Sequence, residues 1–200
     1  MASDFILDDL KLDYVEADGE AAFYGPKLDL QATNVYGKED TLITIQIDFA
    51  AGESFDMQYV DADGVKRTPY VIHRSSIGCY ERTLALLIEK YAGAFPLWFS
   101  PTQVRVLSLT QRNEEKVQEL TARLQRAGIR AEADIRNEKI GYKIREAQVE
   151  KIPYMLIIGD KEAESDCVSV RSRRDGDLGQ MSFDALRDKL CEEIEKKVCR

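Results

Sequence analysis

Residues 42–49 alternate strictly, with Ile43, Ile45, Ile47 and Phe49 set against Thr44, Gln46 and Asp48. A period of two predicts a strand in a sheet with one polar face. Shorter strand-like runs precede it at 21–24 and 27–33. Others follow at 55–60 and near 69–72, with the turn Asp61-Ala62-Asp63-Gly64 between them. Over 76–92 the period lengthens: Ile77, Tyr80, Leu84, Leu87, Ile88 and Tyr91 recur on one face of a helix that Gly93 ends. The first half therefore reads as antiparallel sheet plus a buried helix.

A different pattern follows the stretch 96–101, which holds Pro96, Trp98 and Pro101. Strands are expected at 104–109, 129–134, 154–158 and 167–172. Between them lie helices at 113–127, with the stripe Val117, Leu120 and Leu124, and at 137–152. Glu114 and Glu115 suit the positive end of the first of these helices, and Gly128 closes it. The strand 154–158 is apolar throughout, which belongs in the middle of a sheet covered on both faces. A last helix begins at Ser182, where Met181 and Leu186 are spaced as a hydrophobic staple, and Phe183, Leu186, Leu190, Ile194 and Val198 continue its stripe. Helical crossovers between parallel strands give a small α/β sheet with helices on both sides. The expected division is 1–95, a linker at 96–101, and 102–200.

Charge sharpens that division. The net charge of −8 argues against a surface coated for nucleic acid, yet residues 1–100 carry 8 basic and 17 acidic side chains whereas 101–200 carry 20 and 19. Only the second half is electrostatically tolerable beside a phosphate backbone. Cys79, Cys167, Cys191 and Cys199 show no Cys-x-x-Cys spacing and read as reduced thiols. No apolar run approaches a membrane span and no secretory pattern opens the chain, so no membrane association and a cytoplasmic location are expected.

His73 is the only histidine, which excludes a Ser-His-Asp or His-His metal arrangement built from this chain alone. Arg74, Glu81 and Arg82 concentrate polar groups next to it, where an arginine needs a carboxylate or a nucleotide phosphate as partner. Tyr24-Gly25-Pro26-Lys27 sets an aromatic ring, a turn and a cation before a strand; Gln46 and Asp48 face one cleft with it or form a solvated sheet face. In the second half, Arg136-Asn137-Glu138-Lys139-Ile140-Gly141-Tyr142-Lys143-Ile144-Arg145 offers a helix cap at Asn137 and a basic end at Lys139, Lys143 and Arg145 beside Tyr142. Arg171, Arg173 and Arg174 form a second basic cluster. Such groups read unpaired bases by stacking and edge hydrogen bonds, or form a charged helix surface.

These segments resemble the threonyl-tRNA synthetase family in order and along nearly the whole chain: Ala22-Phe23-Tyr24-Gly25-Pro26-Lys27, Gln46-Ile47-Asp48-Phe49, Val71-Ile72-His73-Arg74, Glu81-Arg82, Ala92-Gly93-Ala94-Phe95-Pro96, Arg136-Asn137-Glu138-Lys139-Ile140-Gly141, Pro153-Tyr154-Met155-Leu156 and Gly159-Asp160-Lys161-Glu162. The resemblance implies part of a class II synthetase antiparallel sheet with its helix, followed by a three-layer α/β anticodon-binding domain. It implies a ligase that activates threonine with Mg-ATP and transfers it to tRNA, working as a homodimer. Arg82 and Lys27 would serve ATP and the adenylate, and Tyr24 and Gln46 would line the amino-acid pocket. His73 would be one of three zinc ligands; zinc there would bind the substrate amino and hydroxyl groups together, separating threonine from valine. Asn137, Glu162 and Arg171 would read the anticodon.

Two departures qualify the match. Ile77-Gly78-Cys79-Tyr80-Glu81-Arg82 keeps one glycine of the third class II motif, and Thr41 stands where some members carry glutamine. The first two class motifs and the other two zinc ligands are not found in these 200 residues, so the isolated chain is expected to lack amino-acid activation. A stand-alone tRNA-binding or regulatory paralogue without ligase activity is the alternative, and a protein-interaction module built on the sheet is a third.

Overall fold

The computed structural model describes residues 7–199, in two compact units, one ending at Leu86 and the other beginning at Leu87. In the first, β1 (Lys27–Thr33) and β2 (Glu39–Asp48) lead to a short helix α1 (Ala51–Ser54). The hairpin β3 (Tyr59–Val60) and β4 (Lys66–Arg67), then β5 (Val71–Ser75) and the first part of α2 (Tyr80–Tyr91), which runs past the unit boundary, follow. The sheet is antiparallel in the order β1-β2-β5. In this register Leu28, Ile45 and Arg74 share one row and Lys27, Gln46 and His73 the next.

The chain at 21–24 forms only a bridge between Ala22 and Gly25 rather than a strand. It turns there at Gly25, whose φ of +154° and whose hypothetical Cβ, 2.0 Å from the Ile47 carbonyl oxygen, leave no room for a side chain. Of the run 55–60 only Tyr59–Val60 is a strand. The helix expected from residue 76 starts at Tyr80, because Gly78 adopts φ +72° in a turn whose amide donates to Ser75 Oγ at 2.9 Å.

The expected burial of α2 is not found: none of its residues is buried, and Tyr80 and Leu84 are exposed. Among the described residues up to Leu86 no apolar side chain is buried at all; Leu30, Ile47 and Ile72, on the apolar face of the sheet, lie open. The period of a helix or strand marks a face that seeks cover without specifying what provides it.

The second unit has its own core. Its elements are β6 (Val104–Ser108), α3 (Glu114–Arg126), β7 (Ala131–Asp134), α4 (Ile140–Val149), β8 (Tyr154–Ile158), α5 (Asp160–Glu164), β9 (Cys167–Ser172), β10 (Gly176–Ser182) and α6 (Phe183–Glu195). Five strands run in the order β10-β9-β8-β6-β7. β6 is parallel to β7 and β8, and β9 is antiparallel to β8 and β10. The all-apolar β8 takes the middle place. On one face Val104, Val106, Leu156 and Ile158 pack with Val117, Leu120 and Leu124 of α3 and Leu186 and Leu190 of α6. On the other, Leu107 and Met155 pack with Ala147 of α4 and with Ile152. Each large apolar side chain fully buried this way stabilises the fold by about 1.5–3 kcal/mol. Ser182 caps α6 by accepting from the Ala185 amide, with Met181 and Leu186 both against the core.

Two features of this unit differ from expectation. β10 occupies a stretch with no strand pattern, paired to β9 through a bulge after Asp177. α4 begins at Ile140 with Lys139 in the cap position and no side-chain cap bond, so Asn137 lies in the preceding turn and does not cap.

The stretch 96–101 contains a 3-10 turn, Leu97–Phe99, with Leu97 buried. Its carbonyls are taken by long side chains: Gln103 Nε2 donates to Leu97 O at 2.8 Å, and Arg130 donates to Trp98 O at 2.9 Å, Ser100 O at 2.8 Å and Pro101 O at 3.1 Å. Just before it, Arg173 donates to Phe95 O at 2.8 Å and Ala94 O at 3.2 Å, and Lys151 donates to Ala92 O.

Candidate functional site

The first unit assembles a polar row across its sheet. Antiparallel register sets Lys27 beside Gln46 and Gln46 beside His73, so the three side chains rise from the same face of adjacent strands. Tyr24, held before β1 by the Gly25 turn, donates its hydroxyl to Gln46 Oε1, and its ring lies edge-on to His73 at 6.0 Å between centroids. Asp48 accepts from the Ala50 and Ala51 amides at 2.8 Å each, while His73 Nε2 lies 2.9 Å from its other oxygen. The hydrogen bond to His73, with those amides, holds the Asp48 carboxyl below its ordinary range. Lys27 pairs with Asp29 at 2.8 Å, which raises the pKa of its ammonium.

Four of the residues picked from the sequence, Tyr24, Lys27, Gln46 and His73, thus form one cluster. Arg82 sits in the first turn of α2, exposed and without an ion pair among the described residues. The row can hydrogen-bond a small polar molecule from several directions. It does not make a metal site by itself: no group of three His, Cys, Asp or Glu among the described residues is placed to hold an ion, and zinc needs at least three protein donors.

In the second unit the helix α4 covers the sheet face bearing Leu107 and Met155. On that same side, β9 presents Ser169, opposite Ile157, and Arg171, opposite Met155, with Gln180 of β10 next to Ser169. Glu162 of α5 reaches over this open strip: Ser169 Oγ donates to its Oε1 at 2.7 Å, Gln180 Nε2 to the same oxygen at 3.1 Å, and the Gly159 amide to Oε2 at 3.1 Å. Burial pushes Glu162 up, but these bonds outweigh it and hold the carboxyl low. Arg171 follows Ser169 on the same face by two residues, about 7 Å. It is partly buried with no carboxylate partner among the described residues.

Asn137 is exposed in the turn after β7, separated from β9 by β6 and β8, or about 14 Å of sheet. Glu162 and Arg171 therefore share one side of β9, Glu162 through its bond to Ser169, while Asn137 follows β7 at the far end of the sheet. Arg171 is not on the sheet edge, since β10 lies outside it.

The two basic clusters expected from sequence are smaller than they read. Arg173 turns inward to backbone carbonyls, and Arg174 lies 3.6 Å from Asp175. Lys143 is 1% exposed and belongs to the interior rather than to a basic end. Sequence reasoning missed its role, though the signal was present: Lys143 falls between Ile140 and Ala147, on the inward stripe of α4.

Lys143 Nζ lies 4.0 Å from the carboxylate of Asp134. That carboxylate also accepts from Arg136 Nε at 2.9 Å and Nη2 at 2.6 Å, and Arg136 continues to Glu146. The Arg136 guanidinium depresses the Asp134 pKa. A depressed carboxyl contributes stability that is present above its unfolded pKa and lost as pH falls through the folded one. The melting temperature of the second unit should therefore fall on acidification below the ordinary carboxylate range, and fall less in Asp134→Asn. Parallel thermal melts of the two proteins between neutral pH and pH about 3 test this; equal slopes would remove the Asp134–Arg136 pair as a source of acid sensitivity.

Comparison with known proteins matches this geometry unit by unit. Residues 3–91 match the model of the tRNA synthetase class II core domain (G, H, P, S and T), and residues 103–193 match that of the anticodon binding domain. The chain is 60% identical over 192 residues to a threonine–tRNA ligase of Clostridium botulinum and 58% identical to one of Clostridium perfringens, covering 96% of this chain. It spans about 30% of the length of these relatives. The solved RNA binding domain of threonyl-tRNA synthetase from Cryptosporidium parvum Iowa II superposes with a TM-score of 0.85 at 33% identity, over 96% of this chain and 49% of that one.

Proposed function

Because the chain belongs to the threonyl-tRNA synthetase family and carries matches to both its class II core and its anticodon-binding domain, we propose that it serves the ATP-dependent attachment of threonine to tRNA. In this reading residues 102–200 recognise the anticodon, residues 1–95 are part of the catalytic domain, and 96–101 join them. Asn137, Glu162 and Arg171 contact the anticodon bases. Tyr24 and Gln46 bind threonine, and Lys27 and Arg82 bind ATP or the adenylate.

His73 is one donor to the zinc of the complete enzyme, and the residues described here supply no other part of that set. When bound, zinc would supply a Lewis-acid centre that binds the threonine hydroxyl and amino groups. Tyr24 and Gln46, already hydrogen-bonded to each other, would orient the amino acid beside it. Lys27, kept charged by Asp29, would face developing negative charge on the adenylate. The complete enzyme acts as a cytoplasmic homodimer. Among the described residues no helix is long and apolar enough to cross a membrane.

The observation that carries the RNA reading is Arg171: a partly buried guanidinium on an uncovered strip of sheet, on the same strand face as the Ser169 that anchors Glu162, and in no ion pair among the described residues. An arginine in that position is free for a planar partner or acceptor, as base recognition needs. The test is titration of the whole chain with a stem-loop bearing a threonine anticodon and with one whose anticodon is scrambled, over a series of salt concentrations. Preference for the matched loop that persists as salt weakens both is expected, since phosphate attraction is salt-dependent and base contact is less so. Equal binding of the two loops would overturn the reading.

A further inference from the structure

A lysine buried in the face of a helix is costly unless every donor is used. Lys143 meets that condition: its Nζ donates to Ser108 O at 3.0 Å, Ser108 Oγ at 2.9 Å and Asp134 O at 3.2 Å, which uses all three donors of an ammonium. Ser108 is the last residue of β6 and Asp134 the last of β7. Their ladder ends there, and the chain leaves β6 for α3 and β7 for α4, helices that lie on opposite faces. The ammonium, together with a 3.3 Å bond from Ser108 Oγ to Asp134 O, ties the two strand ends where backbone pairing stops.

From Asp134 the tie runs into the next turn. Arg136 is fixed to the Asp134 carboxylate through its guanidinium and its own amide, the latter at 3.2 Å, and to Glu146 back on α4. The Glu138 amide donates to Arg136 O at 2.8 Å, an i to i+2 bond that makes Asn137 the middle residue of a γ-turn. Asn137 is therefore exposed at the apex of a turn whose two flanking residues are held.

We infer that Lys143 is the positioning residue of this turn, holding the β6 and β7 ends so that the Asn137 side chain is presented in one geometry. The inference rests on the proposed reading of RNA by Asn137. Its consequence is that Lys143 acts on anticodon discrimination only through Asn137, without touching RNA. A methionine of similar length would fill the space but withdraw the ammonium from Ser108 O and Asp134 O, leaving the longer 3.3 Å bond from Ser108 Oγ to Asp134 O between the strand ends and loosening the turn while the apolar face of α4 stays packed.

The experiment measures discrimination, the ratio of affinities for matched and scrambled stem-loops, in the whole chain. Lys143→Met should lower that ratio about tenfold, within the range of one lost base contact. On an Asn137→Ala background the same change should lower it no further, because two residues acting in one chain of contacts are not additive. Val117→Ala, on the buried face of α3, should reduce thermal stability and leave the ratio intact. Arg136→Ala, at a half-exposed position, should behave as Lys143→Met does and decides the matter if the methionine variant does not fold. Additive losses in the double variant, or an equal loss in Val117→Ala, with a discriminating wild type, would overturn this inference alone. A wild-type chain that binds both loops alike removes the RNA reading and this inference with it.

Discussion

Leu156→Ala is expected to destabilise the second unit by about 2–5 kcal/mol, lowering its melting temperature by roughly 10–20 °C for a unit of this size. Leu156 is fully buried at the centre of the middle strand, among side chains of α3 and α6. Shortening it opens a cavity between layers whose helices are held by ordinary side-chain packing, so the surroundings can collapse only in part. Trp98 is the only tryptophan and lies in the same unit, so its fluorescence reports this transition directly. The contrasting substitution is Ile72→Ala, on the exposed apolar face of the first unit, which should leave the Trp98 transition within about 2 °C. A shift of only a few degrees for Leu156→Ala would mean that the strand is not covered as described.

The other large effect concerns RNA. Arg171→Ala and Glu162→Ala should each weaken binding of the matched stem-loop roughly 5- to 150-fold, the range for loss of one good base-edge contact of about 1–3 kcal/mol. Asn137→Ala should fall in the same range. The loss should appear mainly in the matched loop, compressing the difference between matched and scrambled anticodons. The two residues on the open strip differ in a useful way. Glu162 is held by Ser169, Gln180 and the Gly159 amide, so its removal also leaves those donors without their acceptor. Arg171 forms no ion pair among the described residues, and Arg171→Ala should leave the melting temperature nearly unchanged. Lys196→Ala, in an exposed pair with Glu192 at the end of α6, should change neither loop's binding appreciably. If Arg171→Ala and Glu162→Ala weaken both loops equally, these side chains contribute charge rather than base selection.

Much of this arrangement was legible because side-chain period reports on backbone geometry. The alternation through 42–49 placed Gln46 and Asp48 on the polar face, and the apolar run at 154–158 marked the middle strand. Register between distant strands is less legible: that Lys27, Gln46 and His73 fall in one row depends on pairing between segments that local sequence does not specify. β10 escaped notice because Gly176, Asp177 and Gly179 break the pattern, and only Leu178 and Met181 pack inward. Such a composition suits a bulged edge strand as well as a loop. Lys143 and Arg173 were read as surface charge since residue type alone predicts exposure; their burial follows from carbonyl groups contributed by Ser108, Asp134, Ala94 and Phe95. The resemblance supplied the roles of the first-unit residues, which chemistry alone left open between a binding cleft and a wetted sheet.

The treatment of residues 92–101 bears on how the second unit is to be excised for separate study. A fragment begun at Pro101 would keep Arg130, Gln103, Lys151 and Arg173 while discarding most of the oxygen atoms they hold. Arg173, whose pKa is already lowered by burial, would be left as a desolvated cation with the Lys151 carbonyl as its remaining acceptor. Leu97 would leave a gap against α6. The useful cut lies upstream of Ala92, because the stretch proposed to join the domains is itself held, carbonyl by carbonyl, by side chains of the second unit.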